Sequence, residues 1–361
     1  MKKIRIIGAA ALAALWLTVA VWAWVKPADA ISSAERRPLE QFPELSVENV
    51  LDGGFMADFE DYTLDQFPLR SGIRSVKALF QKYIMGQLDN NGIYVADGYT
   101  AKLEYPYDAG SIGHALERFQ YVYDRYLTDC TVYMTVVPDK GYYLAEDNGY
   151  LAMDYEAMFA DIQAGMPWAT HIELTDLLSL EDYYRTDTHW RQENLLPVAQ
   201  RIARTMGVSV GEFTPVTREE PFYGVYYGQA ALPMEPDTLV LMENDWLAEC
   251  RVYDHESGTW GSVYDLGKLD TDDLYEVYLS GPRSLLTIEN PNATTDNELI
   301  VIRDSFGSSI VPLLLRDYAR VDVVDIRYLN AALLGNFLEF GEQDVLFLYS
   351  TLVLNNSETI K

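Results

Sequence analysis

The chain holds four histidines, His114, His171, His189 and His255, and one stands in a run that invites chemistry. In YYRTDTHW, residues 183–190, Asp187 precedes His189 by two positions. In an extended segment residues i and i+2 face the same side. The Asp187 carboxylate can then accept the Nδ1–H of His189 and leave Nε2 free to take a proton. Such a pair needs a group that gives the proton. LIVIRDSFGSS, residues 299–309, offers Ser305. Ser305 follows an apolar run and precedes a helical pattern, a turn at which a hydroxyl projects from the edge of a sheet. The N–H groups of Ser305 and Phe306 would face negative charge developing on a substrate oxygen, and Gly307 lets the chain turn tightly. Two readings stand side by side. Either Ser305 or Ser308 merely caps the next helix, or Ser305 is a nucleophile, His189 its base and Asp187 the orienting acid. The scarcity of histidines and the joint presence of all three groups put the second reading level with the first.

Elements must bring these groups together across more than a hundred residues. After Ser305 the pattern alternates between strand and helix: ELIVI at 298–302 reads as a buried strand, 308–318 as a helix, VDVVDI at 321–326 as a strand, 328–340 as a helix and DVLFLYS at 344–350 as a strand. Before it, CTVYMTVVP at 130–138 and HIELTDL at 171–177 read as strands, with helices over 111–126, 154–166 and 194–206. Gly207 stands where the last of these should stop. Such alternation implies an α/β fold with a parallel sheet covered by helices on both faces. Residues 211–296 break the rhythm with short aromatic segments between Gly, Pro and Asp clusters, and read as an insertion of small antiparallel strands. NGIYVADGY at 91–99 reads as a hairpin about Asp97-Gly98. Phe55, Phe59 and Tyr62 recur at helical spacing, and the helix they predict runs on to Gly86.

The first thirty residues differ in kind. Lys2, Lys3 and Arg5 precede an uncharged apolar run from Ile6 to Val25, long enough to cross a bilayer core. The basic flank orients it with the body outside the cytoplasm. Its length favours an uncleaved anchor, and Ala28-Asp29-Ala30 keeps a cleaved, secreted form as the alternative. The expected order is therefore an anchor or signal over 1–30, a stalk over 31–54, the two parts of one α/β domain over 55–210 and 297–361, and the insertion between them at 211–296. A net charge of −28 over 361 residues argues against nucleic acid as a partner and against broad contact with anionic membrane surfaces. Cys130 and Cys250 are either a disulfide suited to an oxidising compartment or two buried thiols. No Cys/His spacing suggests a metal, and nothing points to a cofactor.

Other residues carry a functional and a plainer reading. Tyr227, in FYGVYYGQ at 222–229, can stack on a sugar ring or simply pack. Arg327, just after a strand, can bind a carboxylate or acyl oxygen, or form an ion pair. Asp139 and Lys140 follow another strand and either line the same edge or only form its turn.

TDTHW together with RDSF resembles the DHHW proteins, a group related to the alginate acetylation proteins of the SGNH-hydrolase superfamily. FEDYTLDQFPLR, VVPDK, VDIRYL and DVLFLYS extend the likeness over roughly residues 38–355, in the family's order. The resemblance implies an SGNH-like α/β fold. It assigns Asp187 as orienting acid, His189 as base and Ser305 as nucleophile. It also implies O-acyl transfer or ester hydrolysis on a cell-envelope polysaccharide, beside a membrane-bound O-acyltransferase that delivers the acetyl group. Arg303 replaces the glycine usual two positions before the nucleophile; it would crowd the site or bind an anionic substrate. That departure keeps a second hypothesis in view, a non-catalytic envelope scaffold that retains the fold.

Overall fold

The computed structural model describes residues 2–361. The chain divides into two compact units, residues up to 90 with 227–233, and residues 91–226 with 234–361.

The first unit begins with α1 (Lys2–Val25), a helix long and apolar enough to cross a membrane. The helix expected to run unbroken to Gly86 is two, α2 (Gly54–Asp65) and α3 (Arg70–Tyr83). Pro68 accounts for the break: it lacks the N–H that a continuous helix needs and disfavours helical backbone at the residue before it. The 31–54 stretch is not featureless, since Ile31–Ser32 pairs antiparallel with Arg37–Pro38 and Val47–Leu51 is helical. Charge ties these pieces. Arg37 grips Asp65 with two bonds of 2.6 and 2.8 Å, and Arg70 joins both Asp65 and Glu35. The Arg37 hydrogen bond lowers the Asp65 carboxyl to about 2 against the opposing effect of burial.

The second unit is the α/β body. Its strands, in chain order, are β1 (Ile93–Ala96), β2 (Tyr99–Lys102), β3 (Thr131–Val137), β4 (Thr170–His171), β5 (Thr214–Phe222), β6 (Asp237–Glu243), β7 (Arg251–Asp254), β8 (Thr259–Ser262), β9 (Leu285–Glu289), β10 (Asn297–Arg303), β11 (Tyr318–Val324) and β12 (Asp344–Ser350). β1 and β2 form the hairpin expected at Asp97-Gly98. Eight strands make the central sheet in the order β8-β7-β9-β11-β10-β12-β3-β4. The five from β11 to β4 are parallel, and the other three extend the sheet antiparallel. So part of the 211–296 stretch adds to the main sheet, while β5 and β6 pair separately.

The strands alternate as their sequences dictate. In β10, Leu299 and Val301 face one core while Ile300 and Ile302 face the other. The first core is roofed by α7 (Leu196–Met206) and α8 (Gly307–Leu314), through Val198, Ile202, Ile310 and Leu314. The second is roofed by α4 (Ala109–Val122) and, beyond the short α5 (Lys140–Leu144), by α6 (Tyr155–Gly165), through Ile112, Phe119, Met158 and Ile162. Each such buried aliphatic contributes about 1.5–3 kcal/mol, so both faces of β10 hold its end firmly. Gly207 stops α7 in the left-handed conformation, φ 76°. This is the α/β arrangement, a run of parallel strands covered by helices on both faces, that the sequence predicts.

Two elements differ from expectation. Residues 328–340 form only a short 3-10 turn at Ala331–Asn336, where Gly335 and Asn336 are poor helix formers. Of 171–177 only the first residue joins the sheet. Cys130 and Cys250 remain separate thiols, and burial raises the latter to about 12.

Candidate active site

Parallel strands end at one edge of a sheet, so β3, β10, β11 and β12 deliver Asp139, Ser305, Asp325 and Ser350 to the same rim. Register makes the meeting specific, because Arg303 of β10 lies beside Leu348 of β12. One turn further on, the buried Asp304 carboxylate accepts the Ser350 N–H at 2.7 Å, the Ser350 hydroxyl at 2.6 Å and the Phe306 N–H at 2.9 Å. That third bond fixes the turn carrying Ser305. It also occupies the Phe306 N–H, which was expected to face a substrate oxygen. The Ser305 N–H has no protein acceptor among the described residues.

The run YYRTDTHW is a closed loop. An antiparallel bridge joins Tyr183 to Trp190, and the Tyr184 N–H bonds the His189 carbonyl at 3.1 Å. Asp237, at the start of β6, accepts the N–H groups of Arg185 and Thr186 at 2.8 Å each and the Thr186 hydroxyl at 2.6 Å. Trp190 fastens the loop to the serine turn. Its indole N–H lies 3.1 Å from the Phe306 carbonyl and 2.9 Å from the Ser309 hydroxyl. Gln192 adds a bond of 2.8 Å to the Ser309 carbonyl.

The three groups meet as a result. Asp187 Oδ1 is 2.6 Å from His189 Nδ1, and His189 Nε2 is 2.8 Å from Ser305 Oγ. The carboxylate is fully buried, whereas the imidazole keeps 12% of its side chain exposed. Asp187 also accepts the His189 and Val225 N–H groups at 3.0 and 2.9 Å. With Nδ1–H given to the carboxylate, Nε2 is the acceptor for the serine proton. The ring lies flat on Tyr275, centroids 3.7 Å apart and planes within 5°. Tyr275 is itself held by its hydroxyl, 2.9 Å from Ser309 Oγ.

The remaining candidates are placed differently. Arg303 is 1% exposed; its guanidinium donates to the Asp304 carbonyl at 3.1 Å and lies 4.0 Å from Asp325. Its stem fills the space that a side chain at Gly307 would take, and burial lowers its pKa. It supports the serine turn from inside and leaves the site uncrowded. Arg327 clasps the buried Asp325 at 2.6 and 2.9 Å, the plainer of its two readings. Tyr227 falls in the first unit and is half-buried. Asp139 is interior, accepting from Thr351, Tyr155 and Gly141, and burial raises its pKa.

Several contributors had little or no signal in the sequence. Gly224 runs so close to Asp187 that an added Cβ would sit 2.2 Å from the aspartate Cβ. Lys140, 2% exposed, sends its ammonium to the Tyr184 carbonyl at 2.9 Å, beneath the loop. Burial brings it down to about 7, opposed by the Asp187, Asp237 and Asp139 carboxylates. Tyr275, Asp237 and Gly224 come from the irregular stretch, where no periodicity marks a role. For Lys140 its place after a strand was the one available hint.

With this geometry in view, comparison with known proteins gives a consistent result. Residues 177–324 match the family model described as DHHW protein. That stretch contains all three groups of the Asp187–His189–Ser305 chain. A DHHW family protein from Eubacterium siraeum superposes with a TM-score of 0.60 at 22% identity, covering 75% of this chain and 95% of its own. Bacillus cereus PatB1 with a sulfonyl adduct gives 0.57 at 16% identity, covering 73% and 95%. PatB1 without the adduct gives 0.55 at 17% identity, covering 74% and 98%. At these identities the likeness establishes the fold. No curated protein matches the sequence.

Proposed function

We propose that this protein is a serine-dependent O-acyltransferase or esterase acting outside the cytoplasm on acyl, chiefly acetyl, groups of a cell-envelope polysaccharide. The observation that carries the reading is the unbroken chain Asp187–His189–Ser305, with contacts of 2.6 and 2.8 Å. Ser305 Oγ attacks an ester carbonyl carbon while its proton passes to His189 Nε2. Asp187 steadies the imidazolium, and the Ser305 N–H faces the oxyanion. The carbon–oxygen bond to the leaving group breaks, and that group takes the proton from Nε2. A sugar hydroxyl or water then gives its proton to Nε2 as its oxygen attacks the acyl carbon, the bond from that carbon to Ser305 Oγ breaks, and Nε2 returns the proton to Oγ. Access of one acceptor or the other decides between transfer and hydrolysis.

The close approach of serine and imidazole supports an enzyme over a non-catalytic scaffold. The apolar α1 behind a basic flank supports an anchored body outside the cytoplasm, and the resemblance of TDTHW and RDSF to the alginate acetylation proteins suggests a membrane-bound O-acyltransferase as the donor's source. The test is covalent capture. The full chain in nanodiscs should react with a sulfonyl fluoride or fluorophosphonate at Ser305, and Ser305→Ala should lose all labelling while keeping its circular dichroism. It should also release acetate from an acetyl ester, partitioning to product when oligosaccharide is added. Undiminished labelling of the alanine variant would remove Ser305 from the mechanism.

A further inference from the structure

α3 is inside out for a helix of a water-soluble body. Ile73, Val76, Phe80 and Tyr83 fall within about 80° of its circumference, the apolar stripe that a soluble helix turns inward, and Leu69 and Ile84 flank its two ends. Here each of them is at least 50% exposed, and Ala78 on the opposite side is the buried residue. The charge is equally out of character. In a chain of net charge −28, α3 carries Arg70, Arg74, Lys77 and Lys82 and no acidic residue. Arg70 and Arg74 serve Glu35 and Asp65, while the exposed Lys77 borders the stripe.

Exposed apolar side chains flanked by basic ones describe a helix that lies in the plane of a lipid–water interface. The rest of this unit points the same way. It contains α1, whose end carries Trp22 and Trp24, residues that favour the interface. Trp24 meets Phe59 of α2 at 6.4 Å, and Phe42, Phe55 and Tyr62 complete the aromatic cluster. The unit therefore runs from the apolar span into aromatic rings and amphipathic helix. A second copy on the stripe would bring the exposed Lys77 of one chain toward that of the other, a repulsion that an anionic bilayer turns into attraction.

We propose that α3 is a membrane-surface helix, its stripe seated at the boundary between headgroups and acyl chains of the bilayer that α1 crosses. This rests on reading α1 as an uncleaved anchor. The test uses the full chain in nanodiscs of phosphatidylcholine and phosphatidylglycerol, with photoreactive p-benzoylphenylalanine at Phe80, at Ser75 on the opposite face, or at Leu12 within α1. Mass spectrometry then reads the adducts. Lipid adducts at Phe80 should exceed those at Ser75 by about tenfold, as burial of one face only requires. Lipid adducts at Leu12 without them at Phe80, or chain-to-chain adducts at Phe80, would overturn the surface helix and leave the anchor standing. Absence at both positions would overturn the two together.

Discussion

Two places in the body contain an imidazole, a hydroxyl and a carboxylate in one hydrogen-bonded line, and the order of the three groups differs between them. At the sheet rim the order is carboxylate, imidazole, hydroxyl: Asp187, His189, Ser305. On the sheet face it is imidazole, hydroxyl, carboxylate. Thr287 Oγ1 lies 2.5 Å from Asp322 Oδ1 and 2.9 Å from His255 Nε2. The Thr287 proton is therefore committed to a carboxylate, and His255 is left as donor to the threonine oxygen. Asp322 is further held by Arg320, at 2.9 and 3.1 Å. Burial lowers the His255 pKa against the opposing pull of Asp322 and Asp254. Connectivity, not residue type, separates a proton relay from a structural brace.

The contrast breaks most directly at the imidazoles. His189→Gln should slow ester hydrolysis by about 10³-fold or more, as loss of a triad base does. His255→Gln should leave the rate within about twofold, since that residue has no route to a nucleophile. Paired rate measurements on folded protein check both. An equal loss in the two variants would show the line at Thr287 to be more than a brace.

Gly224→Ala sharpens the contrast through the backbone. The new Cβ would fall 2.2 Å from Asp187 Cβ and 2.3 Å from its Cα, so the loop must move. Overpacking of this kind costs about 1–3 kcal/mol. Because the displaced residue orients His189, the rate should fall as well. Urea denaturation and ester hydrolysis of the same sample check the two effects. The equivalent change at Gly261 in β8, with no atom closer than 4.0 Å, should do neither.

How much of this was legible in the sequence differs along the chain. The β10 to β12 region was readable because buried parallel strands and their helices leave strong periodicity, and the Ser305 turn follows from it. Asp187 and His189 were readable as a pair because their spacing is local. What closes the loop around them was not. Asp237 and Gly224 act through backbone contacts from far along the chain, and Tyr275 by a flat stack that no spacing encodes. The α2–α3 break was present as Pro68 but outweighed by helical periodicity on either side. Arg303 shows the opposite failure. A charged residue near a nucleophile suggests a ligand, yet burial among Asp304, Asp325 and the Gly307 turn makes it part of the support.

The smallest effect concerns Lys140, buried under the relay with no counterpart at the Thr287 line. Its ammonium is lowered to about 7, principally by burial, from an ordinary value of 10.5. The sign follows from proton counting. Between those values the unfolded chain holds a proton that the folded chain has lost, so stability rises with pH through this window. Below pH 7 both states are charged and the burial cost is fully present. From pH 6 to 8 the side chain should add about 1.4 kcal/mol to stability, the equivalent of one pKa unit. Lys140→Met removes the titration and leaves the Tyr184 carbonyl without its 2.9 Å donor. Its stability should therefore be flatter with pH than that of the parent chain, and the gap between the two should shift by about 1.4 kcal/mol from pH 6 to 8. Thermal melts of both proteins across this range separate the two contributions. Parallel curves would mean that the ammonium does not titrate there and that Lys140 braces the loop in one charge state throughout.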